Sequence, residues 1–227
     1  MTNNHNSYER REIYSVYSPE STKLLWTIFI FGIFISICST ILYYTRQNTW
    51  MRDEVESLET SIKILGFITQ IIILLLSIII FKSIWNSAKI LKTGYIIIII
   101  ASVVRLLSKL LKSIASSDST ELIIQVIGGI SALIVFIFSV RQYFTCKKFY
   151  YGEIVNFTLW YMLGPIIEVF GLFIFTYAAN INYNDSISVI GVIINYICVF
   201  YPIYLGISLI DNEILDSPKD KNEYEPR

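Results

Sequence analysis

Long apolar runs alternate with short polar clusters along the whole chain. Six of the runs approach or exceed the roughly 20 residues that a helix needs to cross the hydrocarbon of a bilayer. They are Leu24–Tyr44, Ile62–Phe81, Leu91–Leu111, Leu122–Val140, Phe157–Tyr177 and Ile187–Leu209. The pattern predicts an all-α, polytopic membrane bundle of about six transmembrane helices.

The segments outside these runs are too short and too polar for a second folded domain. Residues 1–23 are predicted to form a polar N-terminal tail, residues 24–209 the transmembrane domain, and residues 210–227 a mobile polar tail. The composition agrees, because 54% of the residues are hydrophobic and only 16% are charged. A soluble domain typically carries roughly a quarter charged residues. The sequence therefore predicts a multi-pass integral membrane protein.

The distribution of Lys and Arg predicts the orientation of the bundle. If the N-terminus is cytoplasmic, twelve of the eighteen Lys and Arg residues fall on the inner side, five on the outer side, and Arg105 within the membrane. Cytoplasmic loops are typically enriched in these residues. Both termini are therefore predicted to be cytoplasmic, and a plasma or cell membrane is the expected location.

Each predicted span carries small or polar residues three or four positions apart, which places them on one helical face. Membrane helices pack closely at such residues, because lipid is as apolar as Leu and gives no hydrophobic drive for helix association. The helix-packing residues predicted on this basis are Gly32, Ser36, Gly128, Gly129, Ala132, Gly164, Gly171 and Gly191.

Four polar side chains, those of Arg105, Glu168, Asn195 and Gln70, are predicted to lie near the middle of the membrane. At a rise of 1.5 Å per residue, Arg105 and Glu168 lie about 16–17 Å from the inner surface, and Gln70 and Asn195 about 18 Å from it. Many transporters bind their cargo at this depth. The four residues are therefore a candidate intramembrane polar cluster.

Three interpretations of Arg105 and Glu168 remain open at this point. The two side chains could form a structural ion pair, which avoids two unpaired charges in hydrocarbon. They could instead take part in the movement of an ion, a proton or a solute. In the third interpretation Arg105 extends towards the membrane surface, while Glu168 is neutral or faces water.

The residues that common enzyme mechanisms require are missing from the sequence. His5 is the single histidine and lies in the polar N-terminal tail, so neither a His-based zinc site nor a Ser-His-Asp triad can be assembled. Neither a G-x-S-x-G motif nor a phosphate-binding P-loop occurs. We therefore expect no catalytic residues, no metal and no cofactor, and a protein that is not an enzyme.

Two classes of function remain. The first is a small transporter or channel-like protein, whose cargo would be a small solute or ion held at the midplane cluster. The second is a non-catalytic adaptor or regulatory subunit that packs against another membrane protein or against a second copy of itself. The lipid bilayer is the expected partner in both cases, and nucleic acid is not.

Overall fold

The computed structural model describes residues 19–47, 52–112, 118–150, 152–164, 166 and 185–216. These residues are almost entirely helical. The helices are α1 (Pro19–Gln47), α2 (Arg52–Ser87), a short 3₁₀ helix (Lys89–Leu91), α3 (Lys92–Lys112), α4 (Asp118–Phe149), α5 (residues 153–164) and α6 (Asp185–Asp216). The predicted all-α membrane bundle is confirmed.

The four helices α1 to α4 are each long and apolar enough to cross a membrane, and α6 adds a shorter apolar stretch at Tyr196–Asp211. The first, second, fourth and sixth predicted spans lie within α1, α2, α4 and α6, and the third lies within α3 except for its first residue, Leu91, which belongs to the 3₁₀ helix. Most of the fifth predicted span, together with both predicted tails apart from a few residues at the helix ends, falls outside the described residues. A total of six spans therefore stays a prediction.

Helix α2 is at the centre of the described bundle and packs against α1, α3 and α6. Its side chains Leu76, Ile80, Phe81 and Ile84 are all at most 1% exposed. Residues at these spacings lie on one side of a helix, so α2 presents a continuous apolar surface to its neighbours. Among the described elements, α4 packs mainly against α3 and is more peripheral.

The outer faces of the helices are apolar, as a bilayer requires. Ile30, Phe31 and Phe34 of α1 and Ile130 and Leu133 of α4 are each more than half exposed. Exposed apolar surface on this scale would be unfavourable in water, but lipid tails are as apolar as the side chains themselves. These faces therefore fit contact with lipid.

The start of α1 and the end of α6 lie on the same side of the bundle. The indole Nε1 of Trp26 donates a hydrogen bond of 3.3 Å to Oδ2 of Asp211. The Trp26 ring also packs edge-on against Tyr204, with centroids 5.5 Å apart. This arrangement fits a chain that crosses the membrane an even number of times. Which side is cytoplasmic stays a prediction from the distribution of Lys and Arg.

The turn between α2 and α3 is held by a buried glutamine of α4. The side-chain amide of Gln142, which is only 3% exposed, donates a hydrogen bond to the carbonyl oxygen of Leu91. Gly94 lies against the same amide, because a Cβ at position 94 would be 2.5 Å from the Gln142 Cδ atom. A side chain at position 94 would therefore require the Gln142 amide to move.

Candidate functional site

A cavity of about 440 Å³ lies inside the bundle, between α1, α2, α3, α5 and α6, and Val135 of α4 also lines it. Apolar side chains such as Ile73, Val199 and Ile203 form part of its wall. Many of the other lining residues carry a polar side chain: Ser36, Ser39, Thr40, Thr69, Gln70, Ser77, Ser102, Arg105, Lys109, Tyr161 and Tyr196. This partly open cavity, with many polar side chains in its lining and apolar helices around it, is called the polar cavity and is the main candidate for a functional site.

Two of the four residues of the predicted midplane cluster line this cavity. Gln70 reaches it from α2, and the half-buried Arg105 reaches it from α3. Glu168 lies outside the described residues, and the side chain of Asn195 is likewise not described. The neighbours of Asn195 on α6, Tyr196 and Cys198, both line the cavity.

The charged side chains that line the cavity, among the described residues, are those of Arg105 and Lys109. These two residues are four apart on α3, and Ser102 lies one turn before Arg105. All three therefore share one face of the helix. No Asp or Glu of the described part of the chain reaches the lining, so both charged side chains that the structure describes there are cations.

Tyr161 connects the cation-bearing wall to α2 and α5. The phenol of Tyr161 lies near the hydroxyl of Ser77 and within electrostatic reach of Arg105. The three side chains all line the cavity. Polar groups from α2, α3 and α5 therefore meet at one place in the bundle.

A second polar contact joins α1 to α6 at the cavity wall. The hydroxyl of Tyr196 donates a hydrogen bond of 2.6 Å to the carbonyl oxygen of Ser36 and also contacts the hydroxyl of Thr40. Thr40 in turn donates to the same Ser36 carbonyl, at 3.1 Å. A buried tyrosine hydroxyl typically needs such a partner, and here the partner is the backbone of another helix.

Helices α5 and α6 come close together at Gly164 of α5, near a proline of α6. A Cβ at Gly164 would lie 2.8 Å from the carbonyl oxygen of Cys198. Pro202 lies inside α6, four residues after Cys198, and has no N–H to donate to that carbonyl. Gly164, Cys198 and Pro202 all line the cavity. The backbone carbonyl of α6 therefore faces α5 at a position that only glycine leaves clear.

A cluster of aromatic rings closes one end of the cavity. Phe81 stacks on Tyr95 with centroids 4.4 Å apart, and it meets Tyr161 and Phe157 edge-on at 4.9 Å and 6.2 Å. Phe81, Tyr95 and Phe157 are each 1% exposed. Below the polar cavity the bundle is therefore filled by packed apolar rings, which exclude water and solutes.

The opposite end of the cavity leads towards the surface. Lining residues run along α2 from Gly66 to Phe81, a distance of about 22 Å at 1.5 Å per residue. Lys109 lines the cavity in the last turns of α3 and is exposed. The cavity therefore runs from the Lys109 end of the bundle down to the Phe81 cluster. In the orientation predicted from the sequence, the Lys109 end is the outer one.

Three of the glycines predicted to pack against other helices have close neighbours. A Cβ would lie 3.0 Å from Cγ2 of Ile72 at Gly32, 3.5 Å from Cβ of Ser108 at Gly128, and 2.8 Å from the Cys198 oxygen at Gly164. Ser36 takes part in the contact between α1 and α6 through its backbone.

The remaining predicted packing residues are arranged differently. A Cβ at Gly129 would have no neighbour within 4 Å among the described residues, and Ala132 on the same helix is half-buried. Gly191 belongs to α6, but its surroundings are not described, and Gly171 lies outside the described residues. On α4, Gly128 therefore faces α3, whereas Gly129 faces away from the described helices.

Sequence reasoning did not single out Lys109, Tyr196, Phe81 or Gln142. The position of Lys109, four residues after Arg105, was a signal that both cations share a face. Phe81 gave no signal, because a core Phe and a lipid-facing Phe look the same in an apolar run. The contacts of Tyr196 and Gln142 depend on which helices are neighbours. The spacing of apolar and polar residues in a single sequence does not show which helices are neighbours.

Within the described residues, no three His, Cys, Asp or Glu side chains gather closely enough to hold a metal ion. The polar groups of the cavity are instead hydroxyls, an amide and two cations, which suit hydrogen bonding and charge pairing with a small polar molecule. Comparison with protein-family models, with curated proteins and with solved structures finds no match to this chain.

Proposed function

We propose that this protein is a small transporter or channel-like protein that moves a solute or ion through the polar cavity. The observation that carries the proposal is the cavity of about 440 Å³, with Gln70 and Arg105 in its wall, inside a bundle of apolar helices. Polar and ionisable residues inside membranes typically mark substrate or ion pathways. Binding sites of transporters also typically lie near the bilayer midplane, between helices.

Glu168 is the proposed proton-carrying group of this pathway. It follows Tyr161 by seven residues and Gly164 by four, and such spacings share one helical face if α5 continues. Tyr161 and Gly164 both line the cavity. An intramembrane carboxylate that faces water can exchange a proton, and its charge would then depend on the presence of the cargo and on pH.

The closed Phe81 end suggests how passage would be controlled. The cavity is continuous towards Lys109, while the rings of Phe81, Tyr95 and Phe157 are fully buried below it. Cargo that enters past Lys109 would be held above these rings until they separate. In this proposal the described arrangement is the one in which a single end of the pathway is open, as alternating access requires.

The proposal is tested with purified protein in proteoliposomes. Swelling is followed by light scattering after addition of succinate, arginine or glucose, which represent anionic, cationic and neutral solutes. We expect protein-dependent swelling with at least one of them and a dependence of its rate on pH. Glu168→Gln should abolish the pH dependence, whereas Glu54→Gln, at the exposed start of α2, should not.

Folding of each variant is checked by its thermal unfolding in detergent, so that a loss of flux is not mistaken for a loss of structure. Swelling equal to that of protein-free vesicles with all three solutes would remove the basis of the proposal. Unchanged pH dependence in Glu168→Gln would retain transport but exclude Glu168 as the proton carrier.

A second candidate function, a membrane adaptor or regulatory subunit, is favoured by one observation on α4. Gly129 has open space at its Cβ position, and the neighbouring side chains Val126, Ile130 and Leu133 are exposed. A glycine on an exposed apolar face allows another membrane helix to approach closely. An adaptor should copurify with one partner in constant ratio, and substitution of Gly129 by Leu should release that partner.

In either function the protein is proposed to act without catalysis, in a plasma or cell membrane, with lipid as its constant partner. The single histidine and the missing nucleophile and phosphate-binding motifs support the non-catalytic assignment. The proposal includes no cofactor and no nucleic-acid partner. It assigns the polar cavity to binding and passage of a small molecule.

A further inference from the structure

We propose that one end of the bundle, where α2 turns into α3 and where α4 ends, binds the phosphate headgroups of anionic lipids. The surface that binds them, here called the basic surface, consists of six exposed cationic side chains: Lys82, Lys89, Lys92, Arg141, Lys147 and Lys148. This inference concerns the lipid around the protein and does not depend on the passage of a solute through the polar cavity.

The six cations lie at one end of the bundle because three helices meet there. Helix α2 ends and α3 begins at the same turn. The side-chain amide of Gln142 donates to the carbonyl oxygen of Leu91 in this turn, which brings Arg141 of α4 to the same level. Lys147 and Lys148 follow in the last turn of α4. The basic surface therefore combines cations from α2, α3 and α4.

Carboxylates are scarce in the sequence that forms the basic surface. Residues 60–117 contain neither Asp nor Glu, and the same holds for residues 122–152. The acidic residue nearest in sequence is Glu153, at the start of α5. One carboxylate cannot balance six cations, so the segments that form this surface carry a net positive charge.

Arg141 belongs to the side of α4 that fits contact with lipid. Ile137, one turn before Arg141, is 51% exposed, and Phe144, one turn after it, is 62% exposed. Spacings of three and four residues place all three side chains on one helical face. Because Phe144 is nearer the end of α4, Arg141 lies within this exposed apolar face and not beyond it. A cation at such a depth is costly unless an anion meets it, and lipid phosphates lie at the edge of the same face.

Aromatic rings contact two of the cations without cancelling their charge. The guanidinium carbon of Arg141 lies 5.7 Å from the centroid of the Phe138 ring, and Nζ of Lys147 lies 5.9 Å from that of Tyr143. A ring face attracts a cation, but it carries no negative charge that would neutralise it. The planar guanidinium and the ammonium group therefore remain suited to phosphate oxygens.

The number of cations favours a lipid whose headgroup has a net negative charge. A zwitterionic headgroup carries its own ammonium group, which the basic surface would repel. Each Lys or Arg near a membrane surface contributes roughly fivefold to the preference for anionic lipid. In the orientation predicted from the sequence this end is the inner one, and the cytoplasmic leaflet is where anionic lipids concentrate.

The inference is tested by native mass spectrometry of the purified protein with equimolar dioleoylphosphatidylglycerol and dioleoylphosphatidylcholine, which have the same acyl chains. We expect bound phosphatidylglycerol to exceed bound phosphatidylcholine by at least about fivefold, and this ratio to fall as salt rises. Arg141→Gln and Lys147→Gln should each lower the ratio. Lys63→Gln is the matched control, since Lys63 is an exposed cation towards the start of α2 and should leave the ratio unchanged.

The substitutions are at exposed positions, so the thermal unfolding of each variant in detergent should be unchanged. If Arg141→Gln is destabilised, Lys147→Gln alone decides. Equal binding of the two lipids by the parent protein overturns the inference. A loss of preference in Lys63→Gln as large as in Arg141→Gln also overturns it, because total charge and not this surface would then select the lipid.

A soluble phosphate ester is distinguished from a lipid by competition. Glycerophosphoglycerol, the headgroup without acyl chains, should not displace bound phosphatidylglycerol at a tenfold excess. Displacement would show a site for free phosphate esters and overturn the assignment to lipid. None of these outcomes decides whether a solute passes through the polar cavity, so failure here and failure of the proposed function are separate results.

Discussion

The ring of Phe81 on α2 stacks on the ring of Tyr95 on α3, with centroids 4.4 Å apart and 14° between the planes. This contact lies where the polar cavity ends. On one side of it are Ser77, Arg105 and the other polar lining groups, and on the other side are fully buried aliphatic residues such as Ile84 and Leu91. The stack therefore separates the cavity and its polar lining groups from the apolar core of the bundle.

Removal of the Phe81 ring should both destabilise the protein and open the closed end. Phe81→Ala deletes a side chain that is 1% exposed, and truncation of a buried Phe typically costs about 3–5 kcal/mol. Passive leak of succinate from loaded proteoliposomes should rise, because the cavity then lengthens past its aromatic floor. Phe34→Ala is the control, since that ring is 61% exposed on the outer face of α1. If the two variants have the same unfolding temperature and the same rate of succinate leak, Phe81 does not close that end of the cavity.

Substitution of glycine by alanine should have opposite effects at two positions. Gly164→Ala places a methyl group 2.8 Å from the Cys198 carbonyl oxygen, so backbone must move, at a cost of about 1–3 kcal/mol. Gly129→Ala meets no atom within 4 Å among the described residues and should be neutral or stabilising by up to about 1 kcal/mol, because alanine favours helix. Thermal unfolding in one detergent measures both. Equal midpoints for the two variants would contradict the close approach of α5 and α6.

Loss of the buried amide at position 142 should weaken the turn between α2 and α3. Gln142→Leu removes the donor to the Leu91 carbonyl, and a buried acceptor without its partner costs about 1–3 kcal/mol. Gln125→Leu removes only an exposed hydrogen bond to Glu121 and should change stability by no more than about 0.5 kcal/mol. Hydrogen exchange at the amides of residues 88–94 should increase in Gln142→Leu alone. Similar exchange in the two variants would exclude Gln142 as the group that holds the turn.

That α1 to α4 are helices long and apolar enough to cross a membrane could be predicted from the sequence, since hydrocarbon thickness sets a minimum length for an apolar helix. The ends could not. Helix α2 begins at Arg52, ten residues before the predicted span at Ile62, because a helix continues beyond the bilayer wherever its polar residues are also good helix formers. Hydropathy detects the apolar part of a helix and not its full length.

The candidate site was predictable only in part. Depth estimates placed Gln70 and Arg105 at similar levels, and the structure brings both to one cavity. Depth does not say which helices are neighbours, so the link from Tyr196 to Ser36, 160 residues earlier, could not be predicted. The difference between Phe81 and Phe34 also depends on neighbours, because both lie in equally apolar runs.

The account's central claim is that solute passes through the cavity beside Arg105, and flux through a blocked cavity tests it most directly. The protein is first freed of native thiols by Cys38→Ser, Cys146→Ala and Cys198→Ala, and Ser102→Cys then places one thiol in the cavity wall, one turn from Arg105. Proteoliposomes that contain this variant are assayed for uptake of whichever test solute the unmodified protein transports, before and after reaction with the sulfonatoethyl methanethiosulfonate reagent. The account predicts that modification at position 102 stops most of the uptake, while the cysteine-free protein with Ser102 intact is unaffected. Uptake that is equally fast before and after complete modification would contradict it, because the solute would then be moving by another path.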